Sequence, residues 1–306
     1  MRVAAIDCGT NSVRLLVADL PPDGGPTLTT LTRRMEIVRL GQGVDRTGRL
    51  APEAIERTRA ALAGYAAEIS ALAPDRVRMV ATSATRDAAN AEDFRRMVVA
   101  TLGVAPEVVT GEEEARLSFA GAVRGLSAPA PYLVVDIGGG STEFVVGAGE
   151  VAAAVSVDVG CVRMTERHLR DDPPTREQVA AAEADIGAAV RRALAAVNAD
   201  GAATLVGLAG SVTTVTALAL GLEGYEPDRI HRAVVPYAQV AKVTGELLAA
   251  TTAQRRALPA MHPGRADVIA AGALVLRTIL EQAGMTEVVA SETDILDGIA
   301  WSLADG

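Results

Sequence analysis

The sequence predicts an α/β fold in two domains, and three observations carry that prediction. The pattern Asp-x-Gly-x-x-Ser stands between two apolar strand-like segments at Asp7–Ser12, and the same unit returns 129 residues later at Asp136–Ser141. In each half strands come first and helices then alternate with strands. The 306 residues, 49% of them hydrophobic, are enough for about two cores. Only 3% are aromatic, so those cores must be packed from Ala, Val, Leu and Ile.

In order along the chain, Arg2–Ile6 and Val13–Ala18 read as strands around a loop at Asp7–Ser12. Pro21-Pro22-Asp23-Gly24-Gly25-Pro26 is a loop tip, and strand-like segments follow up to Leu40. Pro52 suits a first helical turn, opening an Ala-rich helix to about Leu72. Val77–Ala81 reads as a strand, Ala91–Leu102 as a helix, Glu107–Thr110 as strand-like, and Glu112–Val123 as a helix. Gly125–Pro131, with Gly, Ser and two prolines, is the candidate boundary. It divides the chain into domains 1–125 and 126–306, with the last helix a candidate to pack back on the first. The second half then repeats the opening: strand Tyr132–Val135, loop Asp136–Ser141, strand Glu143–Val146. Helices are expected over Thr175–Val197, Ser211–Leu220, Gln239–Ala250, Ala266–Gln282 and Asp294–Leu303, with strands near Thr204–Leu208 and Val288–Ala290.

Composition removes several function classes. A net charge of −9 argues against a duplex DNA binder, and Thr32-Arg33-Arg34 is too short to reverse that. Two cysteines, Cys8 and Cys161, make neither a disulfide framework nor a zinc pattern and fit a reducing, cytoplasmic compartment. Cys8 reads as a small core residue. Asp7 interrupts the first apolar stretch, against a signal peptide. Ala202–Leu222 is free of charge and long enough to span a membrane, but its glycines, threonines and turn signal at Gly207–Ser211 read as strand, loop and helix in a core.

The repeated loop has a physical meaning. Glycines let backbone N–H groups approach an anion without a side chain in the way, and successive amides form an anion-binding nest. A Ser hydroxyl adds a donor. The Asp at the strand end is too negative to touch phosphate, but it suits Mg2+ or the water around it. Two facing hairpins of this kind would grip a phosphate chain. The bland reading is a pair of ordinary glycine-rich hairpin turns. It competes evenly at the first loop and poorly at the second, where three glycines stand between Asp136 and Ser141.

Glu112-Glu113-Glu114 also has a structural explanation, because acidic residues at a helix start are favoured by the macrodipole. Thr110 with Glu113 fits a capping box, which accounts for Glu113 without chemistry. The pattern by itself does not choose between Glu112 and Glu114. His168, His231 and His262 lack ligand spacing, and Arg265 could meet substrate, although a lone arginine on a helix-rich chain usually faces solvent. Glu292-Thr293-Asp294 reads as the cap of the last helix.

Taken together, these motifs resemble the exopolyphosphatase/guanosine pentaphosphatase (Ppx/GppA) phosphatases. Asp7 to Leu15 is similar to that family's first phosphate loop, Ala81 to Asn90 to its substrate-lining segment, Gly111 to Leu117 to its catalytic helix start, and Asp136 to Glu143 to its second phosphate loop. Gly207–Ser211 is a weaker match to a third loop. The order is kept from end to end. The resemblance implies two actin-like (ASKHA, ribonuclease H-like) domains around a central cleft, and release of terminal phosphate from inorganic polyphosphate, with guanosine pentaphosphate as a second candidate substrate. It implies Glu114 as general base or water-positioning group, and Mg2+ or another divalent cation at Asp136, Glu143 and Asp7. Phosphate would be held by Gly9, Thr10, Asn11, Ser12, Gly138, Gly139, Gly140, Ser141, Gly210 and Ser211, with Arg86 lining the substrate. A homodimer is implied as well. Longer members continue into an HD-type region beyond the point where this sequence stops, which puts processive action on long polymer in doubt. Two other readings use the same loops: an ATPase or kinase of this fold, and a non-catalytic sensor of guanosine polyphosphates.

Overall fold

The computed structural model describes residues 1–304. The chain forms two compact units, one of Met1–Ser127 together with the segment from Asp294 on, the other Ala128–Thr293. The expected division at 125/126 therefore falls two residues later. The second unit ends at Thr293, and the last helix, Ile295–Ser302, belongs to the first. Residues 305 and 306, the end of the expected second domain, lie outside the described residues.

In the first unit the strands β1 (Arg2–Cys8), β2 (Ser12–Asp19), β3 (Thr29–Ile37), β4 (Arg76–Ala81) and β5 (Glu107–Val108) form one sheet in the order β3-β2-β1-β4-β5. Strand alternation sends Ala4, Ile6 and Cys8 to one face and Val3 and Ala5 to the other. The first face is covered by the helices Pro52–Leu72 and Ala91–Leu102, through Leu62, Tyr65, Phe94 and Val98. The second meets Leu117 and the Ile295, Ile299 and Trp301 side chains of the last helix. Asp7 lies on this second face by register, which is how residues from opposite ends of the chain come to share its neighbourhood.

The second unit repeats the arrangement. Its strands β6 (Tyr132–Ile137), β7 (Thr142–Gly147), β8 (Val151–Val157), β9 (Thr204–Leu208), β10 (Val234–Pro236) and β11 (Glu287–Ala290) are ordered β10-β11-β9-β6-β7-β8. In both units a three-stranded antiparallel meander is followed by a parallel neighbour of the first strand, β4 beside β1 and β9 beside β6. Leu133, Val135 and Ile137 enter the core on one face, leaving Asp136 to the other.

Several elements depart from the sequence reading, among them strand β8, strand β10, a helix at Cys161–His168 and short helices at Val44–Thr47, Ser83–Arg86, Pro227–Ile230 and Thr252–Arg256. The two glycine loops are also shorter than read. Asp7 and Asp136 are strand residues because cross-strand pairing continues to Cys8↔Val13 and Ile137↔Thr142. The charge-free stretch Ala202–Leu222 resolves into β9 and the helix Ala209–Ala219. Among the described residues no helix is long and apolar enough to cross a membrane.

Candidate functional site

The two hairpins agree atom for atom in how they close. Gly9 N–H donates to Ser12 O at 3.0 Å, and Gly138 N–H donates to Ser141 O at 3.0 Å. Asp7 sits opposite Arg14, and Asp136 sits opposite Glu143. Since a trans peptide points its C=O and the following N–H in opposite directions, anchored carbonyls decide where the loop amides face. In the second loop Gly138 O accepts from Cys161 N (3.0 Å), and Gly139 O from Val162 N (2.9 Å) and Arg163 N (3.1 Å). Gly140 O accepts from Arg163 Nε at 2.7 Å. The N–H groups of Gly139, Gly140 and Ser141 therefore face the other way, and among the described residues none of them donates to a backbone carbonyl. Gly160 makes the approach: a Cβ there would lie 2.4 Å from Gly139 O.

The first loop is anchored by a strap instead of a helix. Thr10 O accepts from Gly41 N (2.8 Å), and Asn11 O from Val38 N (3.0 Å) and Arg39 N (2.8 Å). Arg39 adopts a left-handed backbone, φ 52°, to follow this path. Thr10 Oγ1 shares a buried 2.9 Å hydrogen bond with Ser83 Oγ, which ties the loop to the Ala81–Asn90 segment singled out by the sequence. Cys8 is buried in β1, and burial pushes its thiol pKa up.

Charge distinguishes the two hairpins. Asp7 is 4% exposed, and its Oδ2 accepts from Arg14 Nε (3.0 Å) and Nη2 (2.7 Å). Its Oδ1 is buried and has no hydrogen-bond partner. Arg14 Nη1 also donates to Asp294 Oδ2, and Arg33 binds Asp297 through both carboxylate oxygens, at 3.1 and 2.8 Å. Burial raises the Asp7 pKa, helped by Asp294 and opposed by Arg14. Burial also works against the Asp294 charge, but the Arg14 and Arg33 guanidiniums and the Leu296 N–H hold that carboxyl below the ordinary value. In the second hairpin the residue opposite the Asp is an acid. Asp136 (7% exposed) and Glu143 (1% exposed) are direct cross-strand partners, so two carboxylates share one face where like charges repel. Ser156 Oγ donates to Glu143 Oε1 at 2.7 Å.

Of the three acids at the start of the helix Gly111–Val123, Glu112 is exposed, Glu113 half-buried and Glu114 buried, 7% exposed. Glu112 pairs with Arg116 at 2.7 Å. Thr110 Oγ1 accepts from Glu113 N, giving the first half of the expected capping box, while the Glu113 carboxylate lies 3.6 Å from Arg78. Arg86, from the short helix Ser83–Arg86, donates through Nη1 to Val109 O (2.9 Å) and to Glu114 Oε2 (3.1 Å). The residue expected to line the substrate thus binds the expected base.

The third loop leads straight from β9 into its helix, with Ala209 at φ 65°. Gly210 carries the Arg265 guanidinium against it, close enough that a Cβ would meet Nη2 at 2.2 Å. Arg265 Nη1 also donates to Thr214 Oγ1 at 2.7 Å, so of the two readings open for Arg265 the purely solvent-facing one does not hold. Ser211 is buried against Gly272 and Cys161. Arg163 is the neighbour of these loops that the sequence reading missed, because its partner Gly140 lies 23 residues away and leaves no local pattern. The histidines take separate roles: His168 Nε2 lies 2.9 Å from Asp185 Oδ2, His231 Nδ1 accepts from Glu292 N, and His262 Nδ1 from Gly264 N. Asp294 caps the last helix as expected, accepting from Leu296 N at 3.0 Å.

Among the described residues no three His, Cys, Asp or Glu side chains converge to hold a metal ion. The Asp136–Glu143 pair still fits a hard cation, since Mg2+ is commonly held by one or two carboxylates, keeps several waters and takes substrate phosphates as further ligands.

The sequence matches the Ppx/GppA phosphatase family over residues 18–305. It is 52% identical to Exopolyphosphatase 2 of Mycobacterium tuberculosis over 99% of this chain and 98% of that protein. The crystal structure of an exopolyphosphatase-like protein superposes with a TM-score of 0.95 at 42% identity, over 100% of this chain and 99% of the other. The Aquifex aeolicus Ppx/GppA family member does so with a TM-score of 0.83 at 33% identity, again over 100% and 99%. Both units have the actin-like α/β topology of these relatives, and the chain belongs to the Ppx/GppA phosphatase family.

Proposed function

We propose that the chain is an exopolyphosphatase that releases terminal phosphate from inorganic polyphosphate by attack of water. The observation that carries this reading is the second hairpin, where three loop amides face one way beside the buried Asp136–Glu143 pair. The 52% identical exopolyphosphatase supports the choice of substrate. In this reading the amides and hydroxyls of Gly138–Ser141 and Gly9–Ser12 hold phosphate oxygens, and Gly210 and Ser211 with Arg265 extend that hold.

Asp136 and Glu143 would hold Mg2+ or another divalent cation, while Asp7 stays paired with Arg14 in the first hairpin. When bound, the cation supplies charge neutralisation on the non-bridging oxygens. In the first hairpin Arg14 already supplies a positive charge opposite Asp7, so the need for a bound cation is greatest at the second. Glu114 is the group that orients or deprotonates water: a carboxylate within hydrogen-bond reach is suited to either task. Arg86, bound to both Glu114 and Val109 O, restricts its rotamer.

Guanosine pentaphosphate as a second substrate, a cytoplasmic location and a homodimeric state belong to the same proposal and are supported by the family resemblance. The test is phosphate release from short and long polyphosphate, guanosine pentaphosphate and ATP with Mg2+, for wild type and Glu114→Ala. Release from polyphosphate that disappears in Glu114→Ala is expected. No release from any substrate would sink the hydrolase reading in favour of a sensor. Preference for ATP would favour an ATPase or kinase, and full activity in Glu114→Ala would remove Glu114 from its role.

A further inference from the structure

We propose that Arg163 is a positioning residue for the phosphate loop Gly138–Ser141, acting through the carbonyl of Gly140; the proposal rests on the reading of that loop given above. Three consecutive glycines lose more conformational freedom on ordering than any other tripeptide. A loop that must present three amides in one direction therefore needs its rigidity from outside. Four hydrogen-bond donors provide it: the backbone N–H groups of Cys161, Val162 and Arg163, and the Nε of Arg163. Two of the four come from Arg163.

The side-chain bond differs from the others in kind. At 2.7 Å it is a charge-assisted hydrogen bond from a side chain that is 12% exposed. It holds the last carbonyl of the loop, and by peptide geometry it orients the N–H of Ser141. Ser141 is also the residue whose carbonyl closes the hairpin on Gly138 N–H. Without the bond, the Gly140–Ser141 peptide is free to rotate and turn its carbonyl toward the anion. Arg163 sits in the first turn of the helix Cys161–His168, whose end is fixed by His168 and Arg167 on Asp185, each at 2.9 Å.

Two substitutions separate the hydrogen bond from the charge. In Arg163→Gln the amide nitrogen is attached to Cδ, as Nε is in arginine, so the donor keeps its place and the charge is lost. Arg163→Met keeps the length and loses the donor. The full chain is assayed for polyphosphate hydrolysis with Mg2+ and for binding of inorganic phosphate, with thermal unfolding as the check on folding. The expected result is that R163Q stays within about threefold of wild type in kcat. R163M should lose roughly tenfold to a hundredfold in kcat with a smaller change in KM, and bind phosphate more weakly. Equal losses in the two variants would show that the charge touches substrate directly and overturn the proposal; so would no loss in either. A folded R163Q that loses tenfold overturns it even where R163M does not fold. If wild type releases no phosphate from polyphosphate, the functional reading fails. The phosphate affinities of the variants still decide the role of Arg163.

Discussion

Gly121→Ala should destabilise the first unit although alanine is the better helix former. Gly121 lies in the helix Gly111–Val123, where it crosses the last helix. A Cβ at Gly121 would lie 1.8 Å from Asp294 O, 2.7 Å from Asp294 C and 2.9 Å from Gly298 N. Gly298 answers from the other side, where a Cβ would lie 1.9 Å from Leu117 O. All these neighbours are backbone atoms, so no rotamer change relieves them. A carbon normally approaches a carbonyl oxygen to about 3.3 Å, so the helices must part by roughly 1.5 Å and loosen the packing of Leu117, Ile295 and Ile299. Overpacking of this kind costs about 3 kcal/mol, and the helix propensity of alanine returns about 1 kcal/mol. The net loss is about 2 kcal/mol, or a fall of roughly 4–8 °C in the unfolding midpoint of a unit this size.

Trp301 is the single tryptophan of the chain and is buried in the last helix beneath the Arg124 guanidinium. Its fluorescence in urea reports this interface directly. The control is Gly64→Ala in the helix Pro52–Leu72, where a Cβ meets nothing within 4 Å; it should stabilise by up to about 1 kcal/mol. If Gly121→Ala were as stable as wild type, or if both variants moved the same way, the close-packing argument would be refuted.

Three further outcomes are expected. Glu114→Gln should lower phosphate release by about 10²–10⁴-fold while the Trp301 signal still shows a folded first unit; a loss under tenfold would leave Glu114 without a role in the chemistry. Glu143→Gln should weaken binding of Mn2+, a paramagnetic stand-in for Mg2+, by at least about tenfold, and unchanged binding would remove the cation from the Asp136–Glu143 pair. Asp185 is hydrogen-bonded first by His168 and also by Arg167, and these hold its pKa below the ordinary value. Its contribution to stability is therefore full above about pH 4 and lost as pH falls through the lowered folded-state value. Asp185→Asn should remove that part of the acid limb, by less than about 1 kcal/mol because the pair is partly exposed; circular dichroism during acid titration would show identical limbs if the reasoning is wrong.

Much of the site was legible because its signals are local. Asp7-x-Gly9-x-x-Ser12 and its copy at Asp136 are short patterns between apolar runs, and the shared strand order of the two units gives that repeat its structural meaning. Asp294 could be read as a cap because its acceptor role reaches only two residues along the chain. The choice among Glu112, Glu113 and Glu114 could not be made from pattern: each suits a helix start, and only packing buries the third.

The sequence by itself determined the class of fold, the repeat, the two glycine loops and the acids beside them, since each depends on residue type within a few positions. Tertiary structure alone decided how those parts are held. The helix Cys161–His168 has no side-chain cap; carbonyls of Gly138 and Gly139, more than 20 residues earlier, take its first N–H groups. Arg14 meets Asp294 across a separation of 280 residues, and Arg163 meets Gly140 across 23. A glycine loop specifies the freedom to bind an anion, but the direction of its amides is fixed by donors brought from elsewhere. That direction exists only once the chain has folded, because a peptide group turns toward whichever partner burial leaves it.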